Sequence, residues 1–439
     1  MNKFFIFFFA CLACFNTSVA AAESTFSKTN TDQWVTYTVQ LHDNLNDLTQ
    51  HFLASKKDMV VIQTLNKIKD PNLLPVGKKL HFPRNLLKFS LSKALVLACN
   101  CATEAASLEN GVGLSAGISL TEGQVVEVPV GCAVDIQLDD GSQIRLPSNS
   151  TVKLTRLRHN ELESSPEVLL DLIKGRVSLE VHKPRSTGTP FEVQTPISLM
   201  GVRGTEFSVS LDDQSGTRLE VTGGKVQSQG IADNHPQLVV AGQGLFINPT
   251  GNSQIPETLP GQPVIQEIKF AKGSAGVQIK LSSQPGSDHW LVRQSGIANQ
   301  VEGAKPSRST DTIDLGLLGV DAKFLSVTGA TPSDLLGSTE QFAVCVPAEA
   351  GKNCQVIFEV SNSNPVDMTF SLNRLDDGQS KQLIVKKHMK IQDGRFMLRG
   401  LPAGEYTWEL HYSALDKNQQ PLPIQQVGHF HLLPLSEGN

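Results

Sequence analysis

The sequence predicts a mainly β protein built from several consecutive modules. Its 439 residues would fill roughly two to four domains of ordinary size. Turn-forming residues are plentiful, with 35 Gly and 23 Pro, while charged residues make up only 18%. Beyond residue 92 most of the chain alternates apolar and polar residues between Gly or Asp turns, which is the pattern of half-buried strands. The formal net charge of −5 argues against a nucleic-acid-binding protein.

Residues 1–20 have the layout of a secretory signal peptide. Lys3 precedes an apolar run at residues 4–13, and Ser18-Val19-Ala20 offers small residues for cleavage. No later stretch reaches the ~20 apolar residues of a membrane helix. We therefore predict an exported protein of the periplasm or cell envelope, with no transmembrane span in the mature chain. Lipidation at Cys14, the last residue of a lipobox-like Leu-Ala-Cys, is the less favoured alternative.

Residues 34–84 are predicted to form a small module with the order strand, helix, helix, strand. Residues 37–40 and 79–82 have strand patterns, and Asp43-Asn44 offers a side-chain cap for the first helix. The second helix is expected to end at Asn66 in a left-handed conformation. The apolar stripes that predict the two helices are Leu45, Leu48 and Phe52, followed by Met59, Ile62 and Leu65.

This module resembles a LysM domain, the glycan-binding module of cell-wall proteins. The shared marks are Tyr-x-Val at 37–39, Leu-Asn-x-Ile at 65–68 and Pro-x-Gly-x-x-Leu-x-x-Pro at 75–83, whereas residues 42–45 depart from the family's Gly-Asp-Thr-Leu. The resemblance implies that peptidoglycan glycan strands lie between two loops, with Leu45 and Leu73 packing on the sugar and His42 crowding the groove. The implied site consists of His42, Asp43, Asn44, Leu45, Lys69, Asp70, Pro71, Asn72 and Leu73.

Residues 93–248 are predicted to form short strands divided by turns. They resemble a FecR domain through a hairpin at 140–146, Leu-x-Lys-Gly-Arg-Val at 172–177, which we interpret as a turn, and Val-Arg-Gly-Thr-Glu-Phe at 202–207. The expected fold is all-β, either a β-solenoid or a roll. The best-known family members carry an anti-sigma segment and a membrane helix ahead of this domain and relay a signal. Here a signal peptide and the LysM-like module take that place, so we carry over only an exported scaffold or protein-contact role.

We assign structural roles to the most specific FecR-like segment. Gly201 and Gly204 are expected to allow close backbone approach or a positive φ. Arg203 could be held by Glu206 or by backbone carbonyls, because its guanidinium fork gives a fixed geometry. Phe207 is expected to fill the core. The motif set is Gly201, Arg203, Gly204, Thr205, Glu206 and Phe207.

The remainder is predicted to form two β-sandwich modules, fibronectin-like or immunoglobulin-like, at residues 262–347 and 354–435. Tyr406 and Trp408 lie on an alternating strand face and are expected to be core rather than a ligand platform. Cys345 and Cys354 are predicted to form a disulfide across a short loop. Of Cys99, Cys101 and Cys132, one must stay unpaired, and the sequence leaves open which one.

The sequence predicts no enzyme, no cofactor and no metal site. Residues 113–117 fit Gly-x-Ser-x-Gly, but a nucleophile elbow needs a helix after the serine, and the residues that follow look like a strand. The function we predict is an envelope anchor or scaffold that binds peptidoglycan through residues 34–84 and an unidentified envelope protein through its β modules. The alternatives are a FecR-like periplasmic signalling or sensing protein and an accessory protein of a cell-wall hydrolase.

Overall fold

The structure is a computed structural model that describes residues 34–101, 106–163, 166–183, 191–212, 216–270, 276–282, 284–304, 306–316, 318, 321–345, 354–360, 366–376, 379–387, 394–415 and 421–433. The predicted signal peptide lies outside these residues. The fold is mainly β, as the sequence predicts. Of the helices in the described ranges, none has the length and apolar character that a membrane crossing requires.

The N-terminal module has the predicted order of elements. It contains β1 (Trp34–Thr38), α1 (Leu45–Phe52), a 3₁₀ turn (Lys56–Asp58), α2 (Met59–Leu65) and β2 (Lys79–Pro83). β1 and β2 pair antiparallel along their full length. Leu45, Leu48 and Phe52 of α1, and Met59 and Ile62 of α2, pack into one core with residues of this pair because they recur at helical spacing, whereas Leu65 does not belong to this core. The predicted cap is confirmed, since Asn44 Oδ1 accepts a hydrogen bond from the Asp47 N–H at 2.9 Å.

The end of α2 differs from the prediction. Asn66 has φ −93°, and the left-handed residue is Lys67, with φ 50°. Asn66 instead holds α2 against β2: its Oδ1 accepts from the His81 N–H at 2.6 Å and its Nδ2 donates to the His81 carbonyl at 2.9 Å. An amide side chain can satisfy both backbone groups at once because it carries a donor and an acceptor.

A 3₁₀ turn (Arg84–Leu86) leads into a β domain in which the described residues form seventeen strands that share one hydrogen-bonded network and one core. The strands form two layers with the core between them. They are β3 (Ser90–Leu91), β4 (Ala94–Cys101), β5 (Ser107–Leu108), β6 (Ser119–Leu120), β7 (Val125–Val128), β8 (Cys132–Leu138), β9 (Gln143–Leu146), β10 (Ser150–His159), β11 (Glu167–Glu180), β12 (Phe191–Thr195), β13 (Ser198–Val202), β14 (Glu206–Asp212), β15 (Gly216–Gly223), β16 (Lys225–Gly230), β17 (Gln237–Val240), β18 (Gln243–Ile247) and β19 (Glu257–Thr258).

The long strand β11 connects the two layers of this β domain. Its first half pairs with β10 and β12, and its second half pairs with β9 and β14. The partners change at Gly175, which has φ 79°. The turn predicted at 172–177 is therefore wrong, because the chain bends there and continues as one strand of 14 residues. Leu172 and Val177, on either side of the bend, are both buried in the common core.

In the C-terminal region the described residues form three further sheets. An eight-stranded sheet has the order β23-β22-β25-β26-β32-β31-β28-β29, a three-stranded sheet the order β20-β21-β24, and β27 pairs with β30. A 3₁₀ segment (Ala298–Gly303) lies between β22 and β23. The strands are β20 (Ile265–Phe270), β21 (Val277–Leu281), β22 (His289–Ser295), β23 (Ser307–Ser309), β24 (Thr312–Asp314), β25 (Lys323–Ala330), β26 (Leu336–Val344), β27 (Cys354–Glu359), β28 (Val366–Asp376), β29 (Gln379–Lys387), β30 (Arg395–Leu401), β31 (Gly404–Leu415) and β32 (Pro421–Leu432).

The ranges predicted as two sandwich modules share the eight-stranded sheet. β26 pairs in parallel with β32, which joins strands from both ranges. Alternate side chains of β25 and β26 enter different cores: Phe324 and Ala343 face one, Leu325 and Phe342 the other. One sheet thus has an apolar core on each face. Tyr406 and Trp408 are 1% and 6% exposed, as their predicted core position requires.

The described cysteines include disulfide-bonded residues and one thiol. A disulfide joins Cys345 to Cys354, with their Cα atoms 5.9 Å apart. Cys132 is also disulfide-bonded, and the backbone of Cys101 lies directly opposite it in the ladder between β4 and β8. Cys99 is a buried thiol whose pKa is raised, chiefly by burial.

Candidate functional site

The two loops that the LysM resemblance assigns to glycan binding lie side by side. The Leu45 N–H donates to the Pro71 carbonyl at 2.8 Å, which ties the first loop to the second. Within the second loop, Asp70 Oδ1 accepts from the Asn72 N–H at 2.9 Å. Leu73 is 77% exposed, so an apolar side chain stands in solvent beside this junction. Two sequence-distant segments thus form one surface on the module.

Not every predicted glycan residue can contact a ligand. Leu45 is fully buried in the module core, so its predicted packing against a sugar is wrong. The Asp43 carboxylate is engaged inside the module, where its Oδ2 accepts from the Tyr37 hydroxyl at 2.8 Å and the Gln40 N–H at 2.6 Å. Asn44 caps α1. The residues left exposed on this surface are His42, Lys69, Asp70, Asn72 and Leu73, with Pro71 half-buried.

His42 occupies a backbone conformation that favours glycine. Its φ is 73°, in the left-handed region, and it stands where the family has Gly. We expect His42→Gly to stabilise the protein by up to about 1 kcal/mol, because glycine meets no Cβ penalty there. Thermal unfolding of wild type and variant measures this. An unchanged or lower melting temperature would show that the imidazole makes a compensating contact.

The Tyr37 phenol should titrate unusually late. Burial, followed by the hydrogen bond to Asp43 and the charge of that carboxylate, raises the pKa of Tyr37 from 10.0 to about 12. A raised folded-state pKa stabilises the protein at pH values below 10, and this stabilisation is lost as the pH rises towards 12. Tyrosinate absorbance should therefore show Tyr37 ionising at lower pH in Asp43→Asn than in wild type, but still above pH 10, because burial remains as the largest cause of the raised pKa.

In the FecR-like segment the two glycines have different roles. Gly204 has φ 62°, and a Cβ there would lie 2.9 Å from Lys183 Cβ. Gly201 has no positive φ, and a Cβ there would meet open space, so the role predicted for it is wrong. Thr205 Oγ1 donates to the Lys225 carbonyl at 3.1 Å, and Phe207 is 2% exposed in the core.

Arg203 and Glu206, from the same segment, are both exposed. Holding of Arg203 by Glu206 stays a prediction. Glu206 begins β14 directly opposite Glu180 on β11, so the motif places one carboxylate at the outer surface of the β domain.

A buried ion pair that the sequence analysis missed joins the N-terminal module to the β domain. Glu163 accepts from Arg84 Nη1 at 2.5 Å and Nη2 at 2.7 Å, and from Asn160 Nδ2 at 2.7 Å. The two charged side chains are only 8% and 2% exposed. A bidentate pair of this kind fixes direction as well as distance. It therefore holds the module in one orientation on the β domain.

A second contact that involves charged side chains joins the β domain to the C-terminal region. Glu220 Oε1 accepts from the Leu336 N–H at 3.1 Å, and Arg218 Nε donates to the Ser333 carbonyl at 2.6 Å. Arg176 Nη1 lies 3.2 Å from the other Glu220 oxygen. Polar residues on the outer face of β15 thus serve as the docking surface for residues 333–336.

Two sequence patterns that could suggest a chemical site, Gly-x-Ser-x-Gly at residues 113–117 and the His429/His431 pair, lie in a turn and on β32. Residues 113–117 run through a turn into the short strand β6, so the frame of a nucleophile elbow is absent from this stretch. His429 and His431 share one face of β32 and could suggest metal ligands, but His429 is exposed to solvent on the side of the strand opposite to buried Phe430. In the described part of the chain, no group of three or more His, Cys, Asp or Glu side chains is arranged to hold a metal ion.

Comparison with known proteins gives a family match for the middle of the chain. Residues 124–227 match the family described as FecR protein. A candidate anti-sigma factor from Parabacteroides distasonis, solved by crystallography, is 20% identical with a TM-score of 0.26; the match covers 30% of this chain and 59% of that one. The extracellular domain of a candidate one component system from B. thetaiotaomicron is 10% identical with a TM-score of 0.12, and the match covers 82% of this chain and 61% of that one. No curated protein matches the sequence. The chain contains a FecR domain at residues 124–227.

Proposed function

We propose that this is an exported, non-catalytic sensing protein of the bacterial envelope, whose FecR domain passes a cue to an envelope protein by direct contact. The family match at residues 124–227 is the observation that carries the proposal. The two charged junctions support it, because a domain anchored through Arg84–Glu163 on one side and Glu220–Leu336 on the other moves together with its flanking modules. A cue received on either flank then alters the position of the whole unit.

The β domain also offers an apolar surface for a partner, just beyond the end of the FecR match at residue 227. Leu238 and Val240 are 56% and 41% exposed at alternate positions of β17 and share one face of the strand, while Ile231, 61% exposed, lies in the turn that precedes β17. Exposed apolar side chains on neighbouring positions are typical of protein contact sites. We expect a photo-crosslinking residue at Leu238 to capture one envelope protein in intact cells, whereas the same residue at Val60, 64% exposed on α2 of the N-terminal module, should not.

Gene expression separates sensing from scaffolding. Deleting the gene should change the transcripts of a small set of genes, and restoring the wild-type chain should reverse the change. A scaffold without a signalling role predicts unchanged transcripts. If deletion leaves the transcriptome as in wild type under every cue tested, the sensing proposal is wrong, whatever partner the crosslinker captures.

Peptidoglycan binding through the N-terminal module is the second candidate. The hydrogen bond from Leu45 to Pro71, which brings the two predicted loops together, favours it. Retention of the full chain on purified peptidoglycan should fall in Leu73→Asp, which places a charge at the exposed loop. The matched control is Val60→Asp on α2, where the wild-type side chain is 64% exposed. Equal retention of both variants and wild type would remove this candidate, and release of muropeptides by the pure protein would overturn its non-catalytic character.

A further inference from the structure

A cavity lies between the FecR domain and the C-terminal region. Its volume is about 470 Å³, and its floor is the outer face of β8, β9, β11 and β14. Its roof includes Ala298, Val301, Trp408 and Val427. Small-molecule sites typically have volumes of ~300–1,000 Å³ and occur preferentially where two domains meet. The size and the place both fit a bound ligand.

The floor of the cavity is a row of polar side chains set by strand register. Asp135 lies opposite Arg145, Arg145 opposite Ser178, and Ser178 opposite Ser208. Arg145 Nε donates to Asp135 Oδ1 at 2.6 Å, and the Ser208 hydroxyl donates to Ser178 Oγ at 2.8 Å. Adjacent strands thus present a carboxylate, a guanidinium and two hydroxyls side by side.

A second row adds carboxylates without adding a cation. Glu180 and Glu206 face each other across β11 and β14, both are exposed, and both line the cavity. The roof combines apolar side chains, among them Val427, 62% exposed, and the indole of Trp408, with the amides of Asn299, Gln341 and Gln426. The cavity therefore has a polar floor and a roof with apolar patches between amides, and its floor carries three carboxylates for one guanidinium.

We infer that this cavity binds a small uncharged polyhydroxylated molecule, a saccharide of one or two rings. Each ligand hydroxyl both donates and accepts, whereas the carboxylates only accept and Arg145 only donates, so a vicinal diol satisfies both kinds of group. The C–H face of a sugar ring is apolar and suits the roof. The excess of carboxylates disfavours acidic sugars.

The purpose of this binding rests on the proposed sensing function: a ligand that contacts both walls would stabilise the junction between the FecR domain and the C-terminal region, and so the unit that moves together. The binding itself is independent of that function. Glucose, cellobiose, glucuronic acid and the hydroxyl-free diamine putrescine serve as probes with the full exported chain. Saturation-transfer NMR measures binding, and quenching of Trp fluorescence reports on Trp408 at the cavity wall.

We expect glucose or cellobiose to bind, and glucuronic acid to bind at least about tenfold more weakly because its carboxylate meets Glu180 and Glu206. Glu206→Gln should weaken sugar binding about tenfold by replacing a charge-assisted hydrogen bond with a neutral one. Glu109→Gln, an exposed change outside the cavity, should leave it unchanged.

Three results would overturn the inference. The first is that neither neutral sugar shows saturation transfer, and the second is that putrescine binds more tightly than the sugars. The third is that sugar binding survives Glu206→Gln but is lost in Leu73→Asp, which would place the site on the N-terminal module. If no sugar binds but the photo-crosslinker at Leu238 still captures an envelope protein, only this inference is wrong. If a sugar binds but deletion of the gene leaves the transcripts unchanged, only the sensing function is wrong.

Discussion

Gly175→Ala is expected to destabilise the β domain severely. A Cβ at Gly175 would lie 2.2 Å from the Asn149 carbonyl oxygen and 2.7 Å from Ser150 Cα, and φ is 79°. The left-handed backbone costs about 1–2 kcal/mol, and moving the backbone at the start of β10 costs roughly 1–3 kcal/mol more. The free energy of unfolding should therefore fall by about 2–5 kcal/mol, as measured by urea denaturation followed by circular dichroism.

Gly201→Ala is the matched control, because a Cβ there would have nothing within 4 Å. Its free energy of unfolding should stay within about 0.5 kcal/mol of wild type. Equal effects of the two substitutions would contradict the bend in β11 as the reason for the glycine. A mild effect at Gly175 alone would mean that β10 relaxes around the added methyl group.

Local patterns predicted the N-terminal module because its elements are built from neighbouring residues. The spacing of Leu45, Leu48 and Phe52 sufficed for α1, and Asn44 was recognisable as its cap. The same spacing also predicts that Leu45 does not contact a sugar. An apolar stripe at helical spacing marks the helix face that is buried in the core, and Leu45 belongs to that stripe. The error arose from carrying over a family role without that test.

Features set by tertiary contacts could not be read from the sequence. The pair Lys174-Gly175 looks like a turn locally, and only the pairing of β11 with four other strands turns it into a bend. The alternation of apolar and polar residues on each strand predicted that the polar side chains of the cavity floor face away from the core. Which of these side chains stand side by side, such as Arg145 and Ser178, depends on register between distant segments.

Arg84→Ala is expected to detach the N-terminal module from the FecR domain. The substitution leaves the Glu163 carboxylate buried, with its side chain 2% exposed and only the Asn160 amide retained from its three polar contacts. Removing one partner of a buried ion pair costs about 3–5 kcal/mol, because the remaining charge has lost its compensation. The variant should unfold at lower temperature, and limited proteolysis should cut between the module and the β domain, near residues 84–91.

Two comparisons test whether the buried charge is the cause. Arg395→Ala removes an exposed partner of Glu359, 59% exposed and 2.9 Å away, and should cost no more than about 1 kcal/mol. Combining Arg84→Met with Glu163→Leu removes both charges and should recover most of the stability, since apolar side chains of similar size need no ion partner there. If the double variant is as unstable as Arg84→Ala, the loss comes from packing of the arginine stem and not from an unpaired carboxylate. In that case packing of the arginine side chain would orient the module. The two hydrogen bonds between Arg84 and Glu163 would then not contribute to the coupling between the N-terminal module and the FecR domain.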